Sequence, residues 1–184
     1  DEFAARSQDR AIAAIEAGHF DDQIVPISPP RADEPFVRDE HPRAGTTVES
    51  LAKLRPVFKK DGTVTAGNAA GINDGGCAVV LMRESEAARR NIEPKLVLRS
   101  WAVSGIEPEV MGYAPAFAIP KAAKKAGIAV DDIDVIELNE AFAAQAVAVA
   151  RDVGLDPERL NPTGGAIALG HPVGATGAIL TVKL

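Results

Sequence analysis

Two stretches of this chain place polar side chains where a scaffold alone would not require them. In IELNEAFAAQ, Ile136 to Gln145, an apolar run passes into helical spacing through Asn139 and Glu140. In NPTGGAIALGHPVGATG, Asn161 to Gly177, five glycines and two prolines surround His171. Histidine gains and loses a proton near neutral pH, which suits it to general acid and base work. Pro172 restricts the preceding residue to extended backbone and the glycines permit close turns, so the imidazole is held rather than displayed. Each residue also has a plainer reading. Asn139 can be a helix N-cap with Glu140 complementing the dipole, and His171 can be a structural histidine in its loop. Against the first stands position, because open α/β sheets bind ligands where strands run out into helices. The glycine-rich stretch is not a phosphate cradle: neither G-x-x-x-x-G-K-[ST] nor G-x-G-x-x-G occurs, and no Lys or Arg lies between Asn161 and Gly177.

The elements that must position these residues alternate in type. Residues 2–17 carry Phe3, Ala4, Ala11, Ile12 and Ile15 at helical spacing, with Gly18 where a C-terminal cap belongs. From Asp21 to Gly45 prolines and mixed charges predict an extended surface loop, with Gln23 to Ile27 patterned as a short strand. A short helix is expected over Val48 to Leu54, ahead of Pro56, and Gly62 to Gly76 reads as loop. CAVVLM, Cys77 to Met82, reads as a buried strand, Ser85 to Arg90 as a helix and Lys95 to Val103 as another strand. Pro115 to Ala126 predicts a helix closed by Gly127, with Pro120 either costing a hydrogen bond or marking its start. Val135 to Leu138 is a short strand, and a helix capped by Asn139 is expected to run to Asp152 before Gly154. Gly164 to Leu169 reads as a strand or turn, and a last helix opens near Gly174. This alternation predicts an α/β fold with largely buried strands, and the sharpest change of composition, near Arg89 to Pro94, marks a domain boundary.

Composition narrows the function classes. Twenty Lys and Arg against 26 Asp and Glu give a net charge of −6, and no basic run appears, so a nucleic-acid partner is not expected. The apolar stretches fall short of the roughly 20 residues that span a bilayer, so no membrane partner is expected either. The one cysteine, Cys77, excludes an internal disulfide framework and any cysteine-cluster metal site. Entering an apolar strand, it reads as a buried structural thiol. His19 follows a helix-ending glycine and His41 lies among prolines, so both are expected to be solvated. Asp1 stands in helical sequence and Leu184 inside an apolar segment, so both ends are expected to be cut.

Three blocks, GNAAGINDGG (Gly67 to Gly76), ELNEAFAAQ (Glu137 to Gln145) and NPTGGAIALGHPVGATG, resemble successive signatures of the thiolase family in order and spacing. RSQDRAIAAIEAG, KKDGTVTAG and the KKAG before Ile128 agree, so the resemblance covers the whole chain. It implies the family's layered αβαβα fold, built from two βαβαβαββ halves with a loop domain inserted in the first. By this likeness residues 1–71 end the loop domain, 72–91 are the last strands of the N-terminal half, and 92–184 are the C-terminal half, truncated before a C-G-G-type motif.

The resemblance also implies an activity: acyl transfer between acyl-CoA thioesters, by thiolytic cleavage of a 3-ketoacyl-CoA or condensation of acetyl-CoA. A cysteine takes the acyl group and then passes it on, which divides one difficult transfer into two easier ones. His171 matches the histidine that activates that cysteine and donates to a thioester oxygen; Asn139 matches the asparagine whose bound water completes the oxyanion site. One such donor is worth on the order of 3 kcal/mol of barrier. Phe58 and Phe142 match aromatic residues lining the pantetheine tunnel, with plain core packing as the alternative. Ala70 stands where many relatives carry Ser, so one hydrogen bond to coenzyme A is lost. The nucleophilic cysteine is expected upstream of Asp1 and the acid/base cysteine beyond Leu184, which leaves this piece inactive alone. No permanently bound cofactor is implied, coenzyme A and acyl-CoA being substrates. The intact protein is expected to be a homodimer or homotetramer, cytoplasmic, or mitochondrial or peroxisomal where a targeting segment precedes Asp1. The competing expectation is a thiolase-like acyl-CoA or lipid-binding protein without turnover, which Ala70 favours and the intact histidine and asparagine blocks oppose.

Overall fold

A computed structural model describes residues 1–31 and 33–184; Ala32, within the expected surface loop, lies outside the described residues. Helix α1 spans Glu2–Glu16 and buries Phe3, Ala4, Ala11 and Ala14 on one face, while Ile12 and Ile15, also expected there, are half-buried. It ends where Gly18 turns left-handed (φ 74°), with the Gly18 and His19 amides donating to Ile15 and Ala14 carbonyls at 3.0 Å each. Helix α2 is a single turn, Val48–Leu51, capped by Thr47, whose hydroxyl accepts from the Ser50 amide at 3.2 Å. Helix α3 covers Glu84–Arg89 and α4 covers Pro115–Ala126, the latter closed by left-handed Gly127. Pro120 lies inside α4, so the helix gives up one hydrogen bond there while starting at Pro115.

Three helices surround the residues of interest: α5 (Ala143–Val153), α6 (Ala166–Leu169) and α7 (Thr176–Lys183). Helix α1 packs on α6 and α5, and α4 packs on α5. The core between them holds Phe3, Leu138, Ala146, Val149, Leu155, Leu160 and Ile167. The alanines at these contacts let helix backbones approach closely, and the larger aliphatics fill what remains.

Several expectations are corrected. The helix expected from Asn139 begins at Ala143, with the Gln145 side-chain oxygen accepting the Phe142 amide at 3.3 Å. Asn139 therefore is not the cap of α5. Gly164 to Leu169 is neither strand nor simple turn, because residues 166–169 close a turn of α-helix behind Gly165. The expected strands are not formed as ladders among the described residues: Gln23 to Ile27 and Val135 to Leu138 reduce to single bridges, Ile27 with Phe36 and Ile136 with Leu160.

Cys77 to Met82 and Lys95 to Val103 have no backbone partner among the described residues and lie largely exposed, Val80 at 87% and Leu98 at 71%. Their apolar pattern is that of a buried strand, but a strand completes its hydrogen bonds only on a second segment alongside it. Cys77 is half-buried, not enclosed. The second segment is instead tied to α4 by side chains: Ser100 Oγ donates to the Ala122 carbonyl at 2.7 Å and Lys121 Nζ donates to Ser104 Oγ at 2.8 Å. Among the described residues no helix is long and apolar enough to cross a membrane.

Candidate active site

The three glycine-rich and polar blocks, far apart in sequence, meet through short backbone contacts. The first reaches the second where the Ala70 amide donates to Ala141 at 3.0 Å and the Ala143 amide donates to Asn68 at 2.8 Å. It reaches the third where the His171 amide donates to the Gly71 carbonyl at 3.0 Å and to Asn73 Oδ1 at 3.1 Å. The second meets the third through Asn161, whose amide donates to Ile136 at 2.8 Å. His171 is thus held by its backbone from the first block and presented towards the second.

There the Asn139 side-chain amide lies 3.2 Å from His171 Nε2, and His171 Nδ1 lies 2.7 Å from the Thr176 hydroxyl at the start of α7. The Asn139 carbonyl accepts from Gln145 Nε2 at 3.4 Å, which ties the loop to α5. Asn139 Oδ1 is buried and has no hydrogen-bond partner among the described residues. Buried acceptors are nearly always paired, so an orphan at a side chain already touching an imidazole marks a place where another polar group fits.

Beneath this pair sits Glu140, 1% exposed. Its carboxylate accepts from Ser7 Oγ at 2.6 Å, Asn161 Nδ2 at 2.8 Å and the Ile167 amide at 3.2 Å. Burial pushes the Glu140 carboxyl above its ordinary range, and those three donors offset part of the rise. Gly165 passes so close that a Cβ there would stand 2.1 Å from Glu140 Cδ. Neighbouring Glu137 pairs with Lys183 at 2.9 Å, and Lys183 also donates to the Gly164 carbonyl at 2.8 Å. Burial raises the Glu137 carboxyl too, against the lowering effect of Lys183.

Sequence reasoning singled out His171 and Asn139, and Glu140 as a complement to the helix dipole; it did not single out Ser7, Asn161 or Thr176, which support them here. Asn161 does carry a signal. It opens the NPTGG turn and adopts φ 48°, a left-handed conformation that Asn accepts more readily than most residues. The other expected site residues lie nearby in the chain of contacts. Phe58 meets Phe142 edge to face with ring centroids 5.8 Å apart, and Phe58 is 70% exposed, so core packing does not account for it. Ala70 is half-buried beside Ala141, its amide occupied by that carbonyl. His19 is exposed as expected. His41 is half-buried rather than fully solvated: its Nδ1 lies 2.8 Å from the Ala168 carbonyl, and its Nε2 sits where a Cβ on Gly71 would come within 2.5 Å. A cavity of about 1050 Å³ lies elsewhere, between α1, α2 and α5, and neither His171 nor Asn139 lines it.

The chain as a whole has known relatives. The acetyl-CoA acetyltransferase of Rhizobium meliloti (strain 1021) is 54% identical over 180 residues, 97% of this chain and 46% of that protein. The crystal structure of the Bacillus anthracis acetyl-CoA acetyltransferase superposes with a TM-score of 0.93 at 49% identity, covering 100% of this chain and 47% of that one. Human mitochondrial 3-ketoacyl-CoA thiolase in complex with CoA superposes at 0.86 with 42% identity, covering 100% and 46%. The chain therefore superposes along its whole length on a part of the thiolase fold, and spans about half the length of the relatives it matches. Residues 1–85 match the thiolase N-terminal domain and residues 92–184 the thiolase C-terminal domain, and on these matches the chain belongs to the thiolase family.

Proposed function

We propose that this chain supplies His171 and Asn139 to the thioester-handling site of an acyl-CoA C-acyltransferase. The observation that carries the reading is their 3.2 Å contact at the point where all three blocks converge. His171 takes the proton of a thiol nucleophile and then donates from Nε2 to the thioester oxygen. Asn139 Oδ1, buried without a donor among the described residues, holds a water beside it. A site of this kind lowers the barrier by aiming donors at the oxygen that gains charge.

The substrates on this reading are acyl-CoA thioesters, cleaved by coenzyme A or joined in the reverse direction, and Phe58 and Phe142 flank the pantetheine arm. The layered αβαβα core is completed by chain outside this sequence, which pairs with the exposed strand sequences at 77–82 and 95–103. Residues 1–71 then close the loop domain, 72–91 finish the first half and 92–184 form the second. On this reading the thiol nucleophile comes from outside this sequence; among the described residues Cys77 has no hydrogen bond to His171 or Asn139. The intact enzyme is a homodimer or homotetramer.

A second reading, an acyl-CoA binding protein without turnover, draws support from Ala70, which offers no hydroxyl to the ligand. One experiment separates the two. The full-length protein is assayed for CoA-dependent cleavage of acetoacetyl-CoA, with CoA binding measured in parallel. Turnover supports the enzyme; binding at the same affinity without turnover supports the carrier.

A further inference from the structure

Thr176 is 6% exposed at the first turn of α7, and its hydroxyl touches two groups. It lies 2.9 Å from the Pro172 carbonyl and 2.7 Å from His171 Nδ1. A hydroxyl has one proton to give and lone pairs to receive with. Two arrangements satisfy these distances. In the first, Thr176 donates to Pro172 and accepts from a protonated Nδ1, so Nε2 is bare and accepts from Asn139 Nδ2. In the second, Thr176 donates to a bare Nδ1, Nε2 carries the proton, and the Asn139 amide is turned to present Oδ1.

The first arrangement forms three hydrogen bonds and leaves one buried oxygen unpaired. The second forms two and leaves a buried amide NH2 unpaired beside Asn139, with two donors to satisfy in place of one acceptor. The hydroxyl also sits four residues after the carbonyl it bonds, the usual back-bonding position of a helical Thr. We infer that Thr176 is a positioning residue that sets the tautomer of His171: its hydroxyl receives the Nδ1 proton and leaves Nε2 as the bare nitrogen facing Asn139.

The kinetic consequence rests on the proposed role of His171 as base, whereas the tautomer does not. A base must present a lone pair, and only the tautomer protonated at Nδ1 does so at Nε2. Once Nε2 takes a proton, the Asn139 contact becomes donor to donor.

The test uses the full-length protein with ring-15N-labelled histidine, at about pH 9 where imidazoles are neutral. His171 is assigned from the signals lost in H171Q, and wild type, T176V and T176S are compared by ring nitrogen spectra and by kcat and KM. Wild type and T176S are expected to show the Nδ1–H form, and T176V to lose it. T176V should lose about tenfold or more in kcat with KM within about twofold, and T176S should recover most of that loss. A wild-type His171 protonated at Nε2 overturns the inference, as does a T176V protein with unchanged tautomer or unchanged kcat. Where T176V fails to fold, the wild-type spectrum alone decides. Full activity in H171A beside an Nδ1–H wild type removes the base role and leaves the tautomer standing.

Discussion

Asn161 holds Leu138 as a neighbouring strand would: its Oδ1 accepts the Leu138 amide at 2.8 Å and its Nδ2 donates to the Leu138 carbonyl at 2.9 Å. The second proton of the same Nδ2 goes to Glu140. One side chain thus fixes the backbone immediately before Asn139 and the carboxylate immediately after it. The segment 136–140, which has a single bridge and no ladder, gains its rigidity from this amide.

N161D should therefore be far worse than its size suggests. An aspartate has no donor for Leu138 or Glu140 and sets a second carboxylate against a buried one. Unpaired buried groups cost about 1–3 kcal/mol each, so urea unfolding of the full-length protein should show a loss of several kcal/mol. A loss below about 1 kcal/mol would remove Asn161 from the support of the site.

Gly165→Ala tests the closeness of the packing. Its new methyl group would meet Glu140 Cδ at 2.1 Å with Ser7 and Asn161 blocking retreat. Overpacking of this kind costs about 1–3 kcal/mol, and the acid it displaces adds to that. A thermal midpoint equal to wild type would show that Glu140 can move aside.

The pH dependence of stability carries the sign of the Glu140 shift. Burial raises this carboxyl above its ordinary 4.5, so the native state binds the proton more tightly than the unfolded chain. Its contribution to stability is present in full below 4.5 and is lost as pH rises through the higher folded-state value. E140Q abolishes that titration. The unfolding free energy of wild type minus that of E140Q should rise between about pH 7 and about pH 5; a difference that falls over this interval contradicts the shift.

Lys183 and Glu137 form a nearly enclosed pair, with side chains 14% and 3% exposed. Truncating one partner leaves the other charge stranded, which costs about 3–5 kcal/mol. K183M should lose stability on that scale, and the double variant E137L/K183M should regain much of it. A double variant no better than K183M would locate the effect in the contact of Lys183 with Gly164 instead.

The sequence was legible where a helix is closed by a glycine, and less so in the short turn of helix at 166–169. Helices α1 and α4 follow from apolar spacing and a closing glycine, and both end where Gly18 and Gly127 turn left-handed. Cys77 to Met82 and Lys95 to Val103 read as strands because their composition is that of strands, yet a strand's hydrogen bonds belong to a neighbour that spacing cannot name. His171 and Asn139 stood out for the same local reasons, a prolyl neighbour and a junction between element types. Glu140 stood out only as a complement to a helix dipole, because what encloses it is Ser7, 133 residues away, and the turn at Gly165. Asn139 read as a cap because Asn before an apolar helix usually is one; the short loop to Phe142 moves the cap three residues on and frees the amide for His171.

The most direct measurement is the rate of CoA-dependent acetoacetyl-CoA cleavage by the full-length protein against H171A at saturating substrate. On the proposed role of His171 as base and oxyanion donor, its removal should lower kcat by about a thousandfold or more while leaving CoA binding within severalfold. Equal rates in the two proteins would take His171 out of the chemistry and, with it, the account of this site.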